Sequence, residues 1–222
     1  MLRVLTCCTV RLFRNQFFDF SLEKKGMTHL FLQPLALSLL YATLTGHAIA
    51  DPLVDAQKAY ASGSYAKAFE IYMPLARQGE ARAQLSVGVI FYIGQGVTQN
   101  YEEAAKWFVY SGRQGNALAQ NMMGEMHDQG LGVPQDYTTA AKWYRLSAEQ
   151  GNAQGQDSLS IMYEKGLGVP QDYVLAYMWL LLAKHPSETL GSVAKQMTNE
   201  QISKAQQLAK RCTANKFKDC QK

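Results

Sequence analysis

The chain has 222 residues, of which 47 % are hydrophobic and 18 % are charged, so it is long enough for a sizeable core and too apolar for an intrinsically disordered protein. Its formal net charge of +4 is unevenly distributed: residues 1–50 carry five bases and two acids, residues 51–194 ten bases and fourteen acids, and residues 195–222 seven bases and two acids. Because the middle of the chain is mildly acidic, a nucleic-acid-binding face is not expected.

An apolar run at residues 30–45 stops shortly before a small-x-small motif that ends at Ala50, the pattern that signal peptidase cleaves. The run is short for a transmembrane helix, and it lacks the periodic polar face of a buried helix, which is the weaker alternative. Residues 1–26 place phenylalanines and acids where a signal peptide has a short basic stretch. We therefore predict translation from Met27, a signal peptide at residues 27–50, and a periplasmic or secreted protein.

The mature chain is expected to begin with a helical hairpin at residues 51–78, closed by a tight turn at Ser62-Gly63-Ser64. From Gly79 onward the sequence repeats with a period of 36 residues, and the predicted copies are 79–114, 115–150 and 151–186. Glycine, valine, alanine and tryptophan recur in fixed columns, such as Gly94/Gly130/Gly166, Val97/Val133/Val169, Ala104/Ala140/Ala176 and Trp107/Trp143/Trp179. Three copies in register without a gap indicate a stacked helical array.

Each copy predicts two helices joined by a Gly-x-Gly-Val loop. Small residues such as Ala83 and Gly88 on the first helix let a neighbouring helix approach closely, and the loop glycines permit the left-handed backbone that ends this helix. The second helix is expected to begin at an N-cap acceptor, namely Asn100, Asp136 or Asp172. Its alanine and tryptophan columns then form one buried stripe.

In copy two the repeated columns are Ala117, Ala119, Gln120, Met123, Gly124, His127, Gly130, Gly132, Val133, Asp136, Ala140 and Trp143. This pattern resembles the Sel1-like repeat, a relative of the tetratricopeptide repeat with a longer loop between its helices. The resemblance covers residues 79–186 and implies an all-α fold, an α/α solenoid of helix-loop-helix repeats wound as a right-handed superhelix. Departures from the family pattern are modest: Phe91 and His127 replace tyrosine, and Ser160 replaces glycine.

Residues 187–222 lack the motif. Thr198 and Gln201 have capping-box spacing before an amphipathic stretch, which predicts a C-terminal capping helix. Cys212 and Cys220 form an even pair in an exported chain and are expected to make a disulfide; metal binding is the weaker alternative because no histidine lies nearby. The basic tail is either a solubilising end or a contact for anionic lipid or an acidic partner; it consists of Lys210, Arg211, Lys216, Lys218 and Lys222.

The candidate binding surface is the set of first-helix positions that differ between copies and that packing therefore does not dictate. We predict that they line one groove for a protein partner, which would be an extended or helical segment. The acids of copies two and three favour a basic or amide-rich partner, and Tyr92 suits an anchor. The groove residues are Arg82, Leu85, Val89 and Tyr92 in copy one, Leu118, Asn121, Glu125 and Asp128 in copy two, and Gln154, Asp157, Ile161 and Glu164 in copy three.

No catalytic, metal or cofactor site is predicted. Ser64-x-x-Lys67 and Ser192-x-x-Lys195 match one short motif of penicillin-reactive enzymes, but its companion motifs are missing. The tryptophan column is expected to pack in the core rather than to stack on a ligand. The expected function is a non-catalytic, monomeric adaptor or scaffold in the bacterial envelope. The alternatives are a β-lactamase-like or cell-wall-active hydrolase, by family analogy, and a secreted effector that binds host proteins.

Overall fold

The structure is a computed structural model that describes residues 51–218 and Cys220. The predicted leader at residues 1–50, with its start at Met27 and its cleavage site after Ala50, lies outside the described residues, as does Lys222 of the basic tail.

Along the described residues the backbone forms ten α-helices and no β-strand. They are α1 (Pro52–Ala61), α2 (Tyr65–Arg77), α3 (Ala81–Ile93), α4 (Tyr101–Arg113), α5 (Ala117–Gln129), α6 (Tyr137–Ala148), α7 (Ala153–Lys165), α8 (Tyr173–Leu182), α9 (Ser187–Ala194) and α10 (Asn199–Ala214). Helices α1 to α8 pack in chain order, each on the next, and α8 also packs against α10. The predicted all-α solenoid of helix-loop-helix repeats is confirmed.

The helix ends are determined by the repeated glycine and N-cap columns. The first helices α3, α5 and α7 stop at glycines in the left-handed conformation, with φ of 79°, 71° and 68° at Gly94, Gly130 and Gly166. The second helices α4, α6 and α8 start at side chains that accept hydrogen bonds from the first-turn backbone N–H groups, those of Asn100, Asp136 and Asp172. Each repeat therefore has the same helix boundaries.

The second glycine of each Gly-x-Gly-Val loop packs directly against the backbone of the preceding helical pair. A Cβ on Gly132 would lie 2.6 Å from the backbone nitrogen of Glu102 at the start of α4, and φ of Gly132 is 67°. Gly96 contacts the backbone of Tyr65 and Ala66 in the same way, and Gly168 contacts that of Tyr137. Any side chain here would collide with backbone, so the glycine is required both for its positive φ and for this close approach.

Polar side chains tie the helices of a repeat together. In the first repeat, Ser111 Oγ donates to the carbonyl oxygen of Ala81 at 2.7 Å, and Gln114 Nε2 donates to Gln84 Oε1 at 2.7 Å. The second repeat has equivalent bonds at the same spacing, from Ser147 and Gln150. Such bonds satisfy groups that the core would otherwise leave unpaired.

Buried glutamines also join successive repeats. Gln120 Nε2 donates 2.9 Å to the carbonyl oxygen of Gly112, which belongs to the repeat before it. Gln84 and Gln156 make equivalent bonds to Ala76 and Ala148. The glutamine column therefore links each first helix to the end of the preceding second helix.

In the first two repeats, a glycine on the first helix faces an aromatic ring of the second helix. A Cβ on Gly88 would lie 2.6 Å from the ring of Phe108, which is fully buried. Gly124 faces Tyr144 in the same way. The third repeat has Ser160 and Leu180 in these columns, so a larger residue on one helix accompanies a smaller one on the other.

The C-terminal segment has one more helix than the sequence predicts, because α9 precedes α10. Pro186 occupies its N-cap position, and Val193 is buried in the C-terminal core cluster. Helix α10 begins with the complete capping box of Thr198 and Gln201. A disulfide joins Cys212 at the end of α10 to Cys220, and both cysteines are buried in the same core cluster as α8.

Candidate functional site

The twelve predicted groove residues occupy equivalent positions on α3, α5 and α7. Within each helix they are spaced by three, four and three residues, so they lie on one face. Eleven of them are solvent-accessible, and the apolar Leu118 and Ile161 are 48 % and 42 % exposed. Asn121 is the exception, because it is only 7 % exposed. It lies at the centre of the middle first helix, with a neighbouring first helix on either side.

Tyr92 is held in place by the next repeat. Its hydroxyl donates to Glu125 Oε1 at 3.0 Å, and its ring packs edge-on against Tyr101 with centroids 5.3 Å apart. Burial, followed by the negative charge of Glu125, raises the pKa of Tyr92 to about 12. The sequence predicts Tyr92 as a partner anchor; in the structure its hydroxyl is already engaged, and a partner would meet the hydrogen-bonded Tyr92–Glu125 pair.

Asp128 adds a second carboxylate beside this pair. Burial raises the pKa of Asp128, and the positive charge of Lys165 opposes that rise. Burial also raises the pKa of Tyr144, and the negative charges of Asp128 and Glu125 add to this effect. The two acids of α5 are therefore close to the same buried phenol and form one acidic cluster.

One polar atom in this region has no partner. Asn121 Oδ1 is buried and accepts no hydrogen bond. Because Asn121 lies one helical turn before Glu125, its side chain is on the same face of α5 as the acidic cluster. An unsatisfied acceptor under two carboxylates is a feature that packing alone does not require.

In the third repeat, the groove residue Asp157 is in contact with His185. His185 Nε2 lies 2.6 Å from Asp157 Oδ1, while the backbone N–H of His185 donates to the carbonyl oxygen of Leu180. This contact leaves Asp157 less available to a partner than Glu125 or Asp128.

The other edge of the groove borders a cavity lined by both apolar and polar side chains. A cavity of about 390 Å³ lies where α1 and α2 meet the first turns of α3 and α5. Leu85 and Leu118 line it together with Leu53 and Tyr60 of α1. The contribution of α1 could not be predicted, because the N-terminal hairpin carries no repeat motif. The charge of Arg82 at this edge is balanced by Glu80, which lies 3.5 Å away.

The serines of the two Ser-x-x-Lys matches make local hydrogen bonds. Ser64 is the N-cap residue of α2, and its Oγ accepts a hydrogen bond from Ser62 Oγ. Ser192 Oγ donates to the carbonyl oxygen of Thr189 within α9. Among residues 51–218 and Cys220, no three potential metal ligands come together. In that same part of the chain, no helix is long and apolar enough to cross a membrane.

The repeat columns match a known family. The Sel1 repeat profile matches residues 81–116, 117–152 and 153–184. The chain contains three Sel1 repeats. Sel1 repeats generally mediate protein–protein interactions.

Two solved structures are similar to this Sel1-repeat chain. A Sel1 repeat protein from Oxalobacter formigenes is 24 % identical, with a TM-score of 0.55 over 80 % of this chain and 72 % of that one, which supports the fold alone. The protein c5321, a protective antigen of uropathogenic Escherichia coli with an SLR fold, is 27 % identical, with a TM-score of 0.43 over 69 % of this chain and 42 % of that one. No curated protein sequence matches the chain.

Proposed function

We propose that the protein is an exported, non-catalytic adaptor that binds a segment of a protein partner across the exposed face of α3, α5 and α7. The observation that carries this proposal is the set of eleven accessible side chains at positions where the three repeats differ. Residues that hold the repeats together recur from copy to copy, whereas these do not. Accessible positions that vary from copy to copy on one face are what a binding surface on a repeated scaffold requires.

Two observations support export. The small-x-small motif that ends at Ala50 predicts cleavage just before the N-cap residue of the first described helix, Asp51. A disulfide between Cys212 and Cys220 also fits an oxidising compartment. Mass spectrometry of the protein purified from its own cells should give an N-terminus at Asp51. A protein that retains Met27, or any residue before it, would contradict export by this route.

Affinity capture after chemical cross-linking tests the binding role. The bait is the full chain with a C-terminal tag, expressed in its own cells, and the groove variant carries Tyr92→Ala, Glu125→Lys and Asp157→Lys. We expect a partner that is enriched on the wild-type bait and at least tenfold depleted on the groove variant. Circular dichroism must show that both baits have the same helix content.

A matched control makes the same chemical changes away from the groove, with Tyr110→Ala, Glu70→Lys and Glu102→Lys. All three residues are exposed and lie on the second helices α2 and α4. The control bait should retain the partner. A partner that binds wild-type, groove and control baits equally, or no partner on the wild-type bait, would contradict binding through the groove.

A further inference from the structure

The middle of the groove collects hydrogen-bond acceptors that have too few donors. Glu125 receives hydrogen bonds from Tyr92 at 3.0 Å and from Gln129 at 3.3 Å, both of them to Oε1. Its second oxygen and the carboxylate of Asp128 have no hydrogen bond or ion pair within 4.0 Å among the described residues, although Lys165 is near enough to lower the pKa of Asp128. Negative charge therefore remains on this part of α5.

Asn121 provides a second and independent sign of a missing ligand. Its side chain is more than nine-tenths buried, and its Oδ1 has no hydrogen-bond partner. Side chains on a helix lean toward the N-terminus, so Glu125 leans over Asn121, which is one turn earlier on the same face. This oxygen is closed to solvent, so a donor held by the carboxylates would reach it only if the side chain of Asn121 turned toward them.

The position of Asp128 at the C-terminal end of α5 also favours binding of a cation. Asp128 lies in the last turn of α5, which ends at Gln129, and the C-terminal end of a helix carries a partial negative charge. A carboxylate at this end is unfavourable for the helix. A bound cation would remove that unfavourable interaction.

The shape of the site favours a guanidinium group. Glu125 and Asp128 lie three residues apart, less than one turn of α5, so a planar guanidinium with several N–H groups can donate to both carboxylates, which a compact metal ion does less well. Leu118 lies seven residues before Glu125, about 10 Å along the helix axis, and lines the cavity beside α1 together with Leu85. The carboxylate of Glu125 and the apolar side chain of Leu118 are thus held a fixed distance apart on α5.

We propose that the partner segment places an arginine side chain against Glu125 and Asp128, and an apolar side chain about 10 Å away from Glu125, against Leu85 and Leu118. This inference rests on the proposed function, because it names the chemistry of the segment that the groove binds. In an extended segment the two side chains would be about three residues apart, and in a helical one about seven.

The test is selection of a phage-displayed library of random twelve-residue peptides against the full chain. Parallel selections use Glu125→Gln with Asp128→Asn, which removes two charges with little change of shape, and a control with Glu70→Gln and Glu102→Gln, which removes two charges from exposed positions outside the groove. Wild type and control should enrich peptides in which an arginine follows or precedes an apolar residue at the expected spacing. The protein with Glu125→Gln and Asp128→Asn, which we call the charge-neutral variant, should not enrich arginine.

The selected peptide is then synthesised with a fluorescent label, and its affinity is measured by anisotropy. We expect Arg→Gln in the peptide to weaken binding to the wild-type protein by about tenfold or more, because a charged hydrogen-bonded pair is lost. The same peptide change should have little effect on binding to the charge-neutral variant, in which both carboxylates are replaced by amides. The coupling between the two changes is the signature of direct contact.

The possible failures are distinguishable. If the library enriches no peptide over an unrelated protein, the proposed function is contradicted together with the inference. Peptides that lose affinity on Leu118→Asp but carry no arginine would leave groove binding intact and overturn the arginine site alone. Equal peptide affinity for the wild-type protein and the charge-neutral variant would also overturn it.

Discussion

Replacing Gly124 by alanine should destabilise the protein, even though alanine is the better helix former. Gly124 lies within α5, and a Cβ built on it is 2.5 Å from Cε1 and 2.9 Å from Cγ of Tyr144. Carbon atoms in contact are normally about 3.5–4.0 Å apart, so the ring would have to move by about 1 Å. Tyr144 is only 3 % exposed, which leaves it little free space into which to move.

The magnitude follows from two opposing effects. An extra methyl group in a tightly packed core costs about 1–3 kcal/mol, and the upper half of this range applies where the neighbour is a buried ring. Alanine in place of glycine in a helix contributes about 1 kcal/mol in the other direction. We therefore expect the free energy of unfolding to fall by about 1–2 kcal/mol. At a slope of about 2 kcal/mol per molar urea, the midpoint moves down by about 0.5–1 M.

Urea unfolding followed by circular dichroism measures this effect, and Gly191→Ala is the matched control. Gly191 lies within α9, and a Cβ there meets no atom within 4 Å, so this substitution should stabilise by about 0.5–1 kcal/mol. The two Gly→Ala changes are thus expected to have opposite signs. A Gly124→Ala protein as stable as wild type would refute the packing argument.

The third repeat suggests a rescue experiment. It has Ser160 and Leu180 where the second repeat has Gly124 and Tyr144. Gly124→Ser should therefore be less destabilising when Tyr144→Leu is present, with a coupling of about 1 kcal/mol in a double-mutant cycle. Additive effects of the two substitutions would mean that the two side chains do not compete for the same space.

Three further predictions concern titration, hydrogen bonding and the disulfide. Folding raises the pKa of Tyr92 from 10.0 to about 12. This group should therefore not affect the free energy of unfolding below pH 10, and it should lower that free energy as the pH rises from 10 to 12. In a stability profile measured by urea unfolding, Tyr92→Phe should make the fall between pH 10 and 12 shallower. Gln120→Leu removes the hydrogen bonds of Gln120 with the carbonyl oxygen of Gly112 and with Gln150, while Gly112 keeps its bond from the N–H of Gly115. The change should cost about 1–2 kcal/mol by thermal or urea unfolding, whereas an unchanged midpoint would show that these bonds are dispensable. Cys212→Ser with Cys220→Ser opens a short loop and should destabilise by about 2–3 kcal/mol, and reducing agent should have this effect on the wild type but not on the double variant.

The repeated columns made most of the solenoid predictable. Glycine at positions 94, 130 and 166 and the N-cap acceptors at 100, 136 and 172 act locally, through backbone conformation and first-turn hydrogen bonds, so each can be recognised from a short stretch of sequence. The close approach of Gly132 to the preceding repeat could not be, because it depends on how two repeats stack. Helix α9 was also missed, since its eight residues lie outside the repeat and its apolar face consists of only Leu190, Val193 and Ala194, too few to indicate a helix from the sequence.

The groove was predictable as a set of positions but not as an arrangement of charges. Spacing identifies Glu125 and Tyr92 as residues of one face, whereas their hydrogen bond depends on the distance between two helices whose first residues are 36 positions apart in the sequence. Asn121 looks like any other groove residue in the sequence, whereas in the structure it is buried. The contact of His185 with Asp157 likewise joins segments with no pattern in common.

The hydrogen bonds of the glutamine and serine columns either close within one 36-residue unit or reach only to the unit before it. A unit with such local contacts can be duplicated in tandem, because the N-terminal hairpin and the C-terminal helices still pack against a repeat of the same kind. The gene can therefore gain or lose whole units without a new fold having to evolve, and each added unit would carry four more variable groove positions. The length of the bound segment would then be set by the number of units, and its chemistry by the residues that each unit brings to the groove.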